Sequence, residues 1–233
     1  GWMKNNPLKP EYVRFGTFDQ LRDNNQEQIR TLIEGLSETP GQEGSVGQKI
    51  GMLFAMGMDS VKLNEDGYAP IKDQLAEINK LGTKDELTKM VATLHKEGMA
   101  PFFALYVGAD EKNSSMNIVQ TYQGGIGMGQ RDYYLENDEQ TRNIRDKYQE
   151  HIAKMFQLAG YDEAAAQKAV KAVMNIETRL AKSARSQVEL RDPHANYNKM
   201  DMETLKKNFP TFAWDVYFTT CLLYTSPSPR DTR

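Results

Sequence analysis

The 233 residues carry 29 Lys and Arg against 32 Asp and Glu, a formal charge of −3, and 39% of them are hydrophobic. Charges of both signs are scattered along the chain, which excludes a basic nucleic-acid footprint, and no apolar run reaches the eighteen or more residues of a membrane span. A single cysteine, Cys221, excludes a disulfide framework and a cysteine-held zinc site.

Taken in chain order, the apolar positions Phe18, Leu21, Ile29, Leu32, Ile33 and Leu36 recur at helical spacing, and Pro40-Gly41 ends that helix. A second helix is predicted over Val46 to Met58. Its small residues Gly47, Gly51, Ala55 and Gly57 point to close approach by a neighbour, since glycine inside a helix costs about 1 kcal/mol against alanine. Pro70 suits the first turn of a third helix carrying Ile71, Leu75 and Ile78. Thr83 and Glu86 have capping-box spacing, and Leu87, Met90, Val91 and Leu94 then form one stripe before Gly98.

After Pro101 the period changes from helical to alternating. Phe102 to Val107 and Met116 to Thr121 read as a small antiparallel pair around a polar turn at Gly108-Ala109-Asp110. Asp110 and Glu111, adjacent in that turn, are expected to be solvated rather than paired for acid–base work. The glycines between Gly124 and Gly129 match neither a dinucleotide fingerprint nor a phosphate loop. They are read as a tight turn ahead of Arg131 and Asp132, which are placed to pair, and of Tyr133 and Tyr134, which are placed to pack. Two long helices follow, Asp138 to Ala159 with Gly160 as its stop and Asp162 to about Arg185, then a loop through 191–199 and a short helix capped by Asp201. The expected fold is a mainly α domain with one small hairpin.

The stretch from Tyr106 to Leu135, YVGADEKNSSMNIVQTYQGGIGMGQRDYYL, is too particular to arise from packing alone. It resembles the non-catalytic portion of the neprilysin-like zinc metallopeptidases, the family of neprilysin, endothelin-converting enzyme and the related bacterial oligopeptidases. Three more segments resemble that family in the right order. They are Gly1-Trp2 with Asn5, Asn6 and Pro7; the run from Arg14 through Phe15, Gly16, Phe18, Asp19, Leu21 and Arg22 to Asp23; and Asp192-Pro193 with Tyr197, Asn198, Lys199, Met200, Leu205, Asn208, Phe209 and Trp214.

The resemblance implies that residues 1–220 form an N-terminal helical, lid-like lobe, truncated at both ends, of a bacterial metalloendopeptidase that cleaves small peptides. It implies zinc in the full-length parent, a catalytic lobe beyond this chain, and an exported location, periplasmic or extracellular. It also implies that Arg14 binds the substrate's C-terminal carboxylate, a role a guanidinium suits because it donates two parallel hydrogen bonds.

The residues themselves carry no such catalysis. His95, His151 and His194 stand 56 and 43 positions apart and none belongs to HExxH, so no catalytic residue, metal ligand or bound cofactor is expected within this chain. A stand-alone helical peptide-binding or scaffold protein, without a catalytic half, remains the alternative reading. Residues 221–233, which include Cys221, Pro227 and Pro229, can be read codon by codon as a transposase adapter from a sequencing library, so natural sequence is expected to stop near Thr220.

Overall fold

The computed structural model describes residues 1–8, 12 and 14–221, and it falls into two compact units, 1–67 and 68–233. The expected adapter-encoded tail, apart from Cys221, lies outside the described residues.

The first unit is helical. A short α1 (Trp2–Asn5) precedes α2 (Thr17–Glu38), α3 (Val46–Met58) and α4 (Ser60–Asp66). Ser45 caps α3 by accepting from the Gln48 N–H, which satisfies one of the donors a helix start leaves open. Helix α4 was not legible as a separate element; Asp59 caps it by accepting from the Lys62 N–H, breaking the chain off from α3. Close approach of α3 to a neighbour is real but local. A Cβ on Gly51 would fall 2.2 Å from the Leu36 carbonyl oxygen and one on Gly47 would fall 3.2 Å from a Leu36 methyl, whereas Gly57 faces open space.

The second unit opens with a 3-10 turn (Ala69–Ile71) that has Pro70 in its first turn, running into α5 (Lys72–Asn79). Helix α6 (Lys84–Lys96) starts at the capping box expected from sequence: the Glu86 N–H donates to Thr83 Oγ1 while Glu86 accepts from the Thr83 N–H. Strands β1 (Phe103–Asp110) and β2 (Asn113–Gln123) make an antiparallel pair in register Phe103↔Gln123, Leu105↔Thr121 and Val107↔Val119, with a bulge between Ala109 and Asp110. The polar turn expected at 108–110 is therefore inside β1. The chain reverses instead at Glu111-Lys112, because Asp110 is anchored by groups far along the sequence, as described below.

Then come α7 (Asp132–Leu135), α8 (Glu139–Leu158) and α9 (Glu163–Ser183), the long pair capped by Asp138 and Asp162, the residues at which the two helices were expected to begin. A 3-10 turn (Glu189–Arg191), α10 (Pro193–Asn196), α11 (Met202–Asn208, capped by Asp201) and α12 (Trp214–Thr220) complete the unit. Two apolar clusters hold it. Val91 and Ala92 of α6 pack with Tyr217 of α12, with Phe103, Leu105, Phe212, Trp214, Phe218 and Cys221 around them. Ile152 and Ala153 of α8 pack with Val170 of α9.

The chain is thus mainly α, with one two-stranded antiparallel sheet among the described residues. No helix among them is long and apolar enough to cross a membrane.

Candidate functional site

In the first unit the segment leading into α2 is fixed by several local bonds. Asp19 accepts from the Gly16 N–H at 2.9 Å and pairs with Arg22 at 3.1 Å, so its carboxylate both caps the helix and complements the positive end of the helix dipole. The Tyr12 hydroxyl donates to Asp23 at 2.6 Å, and the Arg22 guanidinium sits 5.7 Å from the Tyr12 ring. Phe15 stacks on Trp2 with ring centres 6.0 Å apart, and the Trp2 indole N–H donates to Gln20.

Arg14, the predicted substrate-binding residue, is exposed in this segment. Asp19 and Asp23, the two acids able to tie it down as a structural ion pair, are engaged by Gly16, Arg22 and Tyr12. Phe18, in the first turn of α2, is 88% exposed, an unusual state for a phenyl ring and one that contributes nothing to the core.

In the second unit the residues of the glycine-rich fingerprint are structural parts of one clamp. Tyr134 of α7 is buried, and its hydroxyl donates to Glu177 Oε2 at 2.6 Å while accepting from the Met128 N–H at 3.0 Å. Tyr148 of α8 donates to the other oxygen of Glu177 at 3.0 Å. Burial, and then the neighbouring Glu177 charge, push the Tyr148 hydroxyl up to about 12, and burial pushes Tyr134 up as well, so both stay protonated donors. A Cβ at Gly127 would fall 1.9 Å from the Tyr148 oxygen, so a larger residue there would have to displace the hydroxyl that donates to Glu177.

Arg131 and Asp132 pair as expected, as an ion-pair contact at 4.0 Å without a hydrogen bond, and Arg131 also donates to the Ala184 carbonyl at 2.8 Å, past the end of α9. Close by, at the open end of the hairpin, lies a cleft of about 260 Å3 lined by Tyr122, Gln123, Gly124, Leu180, Ala184 and Leu190 among others.

Asp110 corrects the expectation of a solvated turn acid. It is 1% exposed, and it accepts from Lys199 Nζ at 2.7 Å, Tyr197 Oη at 2.8 Å and the Lys112 N–H at 3.0 Å. Those bonds, the Lys199 ammonium first, hold its carboxyl down to about 2. The contact spans 89 positions and joins the hairpin tip to the 197–199 segment, so two of the four sequence segments that suggested the family meet here. Glu111, beside it, is exposed.

The three histidines do not come together. His95 is partly buried and its two ring nitrogens are taken, Nε2 by the Phe103 carbonyl at 2.7 Å and Nδ1 by the Tyr217 hydroxyl at 2.5 Å. A carbonyl accepts only, so Nε2 donates its proton to Phe103. His151 and His194 are exposed. No group of three or more His, Cys, Asp and Glu able to hold a metal occurs among the described residues, which therefore do not fit a zinc centre.

Comparison with known proteins gives a consistent result. The profile described as Peptidase family M13 matches residues 1–232. Endothelin-converting enzyme 1 of Mus musculus is 30% identical over 232 residues, covering 94% of this chain and 29% of that protein. Neprilysin-3 of Drosophila melanogaster is 28% identical over 226 residues, covering 93% of this chain and 29% of the relative. Among solved structures, the zinc metalloprotease Zmp1 of Mycobacterium tuberculosis in complex with an inhibitor superposes with a TM-score of 0.82 at 29% identity, over 94% of this chain and 33% of that one. The chain spans less than a third of the length of the curated relatives it matches.

Proposed function

The chain belongs to peptidase family M13, and from that membership we propose that it is the N-terminal helical lobe of a bacterial zinc metalloendopeptidase acting on small peptides, with Arg14 receiving the substrate's C-terminal carboxylate. The observation that carries the reading is the state of Arg14: exposed, on a segment fixed by its own local bonds, with the nearby acids Asp19 and Asp23 occupied by other groups. A guanidinium so placed offers two parallel donors to a carboxylate.

In this reading the lobe selects substrate and closes a chamber over a catalytic lobe outside this chain, and zinc is held there rather than by these residues. The exposed apolar side chains of the first unit, Leu53, Met56 and Met58 among them, supply a surface such a lobe would cover. Residues 221–233 are, on the same reading, adapter-encoded and no part of the natural lobe. Export to the periplasm or the medium accompanies the family assignment.

The test begins with the source gene read across codon 220. An open frame reaching HExxH supports the peptidase; a genuine stop soon after codon 220 transfers the chain to the scaffold reading. In the full-length protein, Arg14→Gln is expected to raise KM for peptides with a free C-terminal carboxylate about tenfold to a hundredfold, the value of a charge-assisted bond of about 1.5–3 kcal/mol. KM for the C-terminally amidated peptides should stay unchanged. Equal losses on both substrates would remove the end-recognition role.

A further inference from the structure

We propose that the outer edge of β2 is a docking edge for an extended peptide segment, which adds to the hairpin as a third strand. The inference deepens the peptidase reading and rests on it for the identity of the occupant.

In an antiparallel pair, opposed residues alternate between those whose N–H and C=O face the partner strand and those whose groups face away. Phe103 settles the phase. Its N–H donates outside the ladder to the Pro101 carbonyl at 2.8 Å and its carbonyl accepts from His95 at 2.7 Å, so the Phe103↔Gln123 pair faces outward. Steps of two along the register then make Leu105↔Thr121, Val107↔Val119 and Ala109↔Asn117 outward pairs as well. The Ala109 carbonyl agrees with this phase, since it accepts from the Gln120 side-chain amide at 2.9 Å.

The two edges differ as a result. That of β1 is closed at both ends by these bonds. On β2 the outward backbone groups of Asn117, Val119 and Thr121 make no hydrogen bond among the described residues, and no third strand pairs there.

Edge strands are ordinarily protected by charge, proline or a bulge, and the stretch of β2 from Asn117 to Gln123 has none of these. Asn113 to Gln123 reads NSSMNIVQTYQ, eleven residues with no charged side chain and no proline, and the extra residues of its bulge, Ser114 to Met116, come before the evenly paired stretch that starts at Asn117. Met116 and Tyr122 are about half exposed, 51% and 48%. A row of alternating N–H and C=O groups is matched by an extended polypeptide backbone, and neutral flanking side chains favour an uncharged segment. The cleft at Tyr122-Gln123-Gly124 lies at the end of this strand and is smaller than a drug-sized ligand site, which suits it to one side chain of the docked segment.

The probe is a fluorescein-labelled nonapeptide of alternating Thr and Val with one Lys at each end, titrated into the chain and read by anisotropy. Binding is expected. Val119→Pro and Thr121→Pro each remove an outward N–H without touching a β1–β2 ladder bond, and each should weaken binding at least tenfold while circular dichroism stays unchanged. On the unaltered protein, methylating the five central nitrogens of the probe should abolish binding whatever the fate of the proline variants. No binding, or binding that survives both changes, overturns the proposal. So does sedimentation of the wild type as a dimer that Val119→Pro converts to monomer, which would give the edge to a second copy. Because the probe assay reads no hydrolysis, its failure leaves the peptidase reading standing, and a failed Arg14 experiment leaves the edge standing.

Discussion

Asp110 is the acid that the described fold buries most completely, and its energetics can be read from its three donors. Its folded pKa of about 2 lies below the ordinary aspartate value of about 3.9. A depressed folded value means that the unfolded chain binds the proton first as pH falls. The stabilisation is therefore complete above about pH 4, drains away between about pH 4 and 2, and is gone below that. Urea midpoints measured at pH 5, 3 and 2 should fall more steeply for the wild type than for Asp110→Asn; parallel slopes would mean the carboxylate is not held as described. Sequence reasoning placed this residue in solvent because it scored only local context. Lys199 and Tyr197 lie 89 and 87 positions away, and no local pattern announces a partner at that distance. Arg14 differs in kind, because the bonds that fix the segment beside it, around Gly16 and Asp19, are short-range and encoded by the segment itself.

At the scale of elements, helix starts were legible because capping is a three-residue code. Thr83 and Asp201 were read as caps and Asp138 and Asp162 as helix starts, and each of the four accepts from a backbone N–H three residues on. The end of α3 at Met58 was read correctly, and what went unread is α4 beyond it, a helix of seven residues capped by Asp59. Within α3 the small-residue stripe was right about approach and wrong about its extent, and this yields a paired prediction. Gly51→Ala gains helix propensity of about 1 kcal/mol but drives a Cβ against the backbone of Leu36, which has no flexible end to give way. Overpacking of this kind costs about 1–3 kcal/mol, so the net effect is destabilising. Gly57→Ala meets nothing within 4 Å and keeps part of the propensity gain, about 0.5–1 kcal/mol. Opposite shifts of the urea midpoint are expected from the same substitution six residues apart; shifts of one sign would refute the packing assignment.

For the molecule as a whole, the apolar stripes that sequence reasoning took as core are realised unequally. In the second unit the stripe of α6 reaches a core in part: Val91 is buried against Tyr217, Met90 and Leu94 are half-buried, and Leu87 stays exposed. In the first, Phe18, Leu21, Ile29 and Leu32 of α2 remain exposed, and Gly51 is the buried residue among the described positions of 1–67. Periodicity reports which face of a helix is apolar; what covers that face depends on partners outside the window being read. Local stability follows burial, because few apolar contacts leave helical hydrogen bonds free to open without global unfolding. Hydrogen–deuterium exchange of the chain should therefore show amides of α2 and α3 exchanging at least tenfold faster than those of α9, which is anchored through Ala166, Val170 and Ala181. Equal protection would mean that the apolar faces of α2 and α3 are covered in solution, by self-association or by a ligand. Dilution separates those two causes, since protection that arises from self-association falls with concentration.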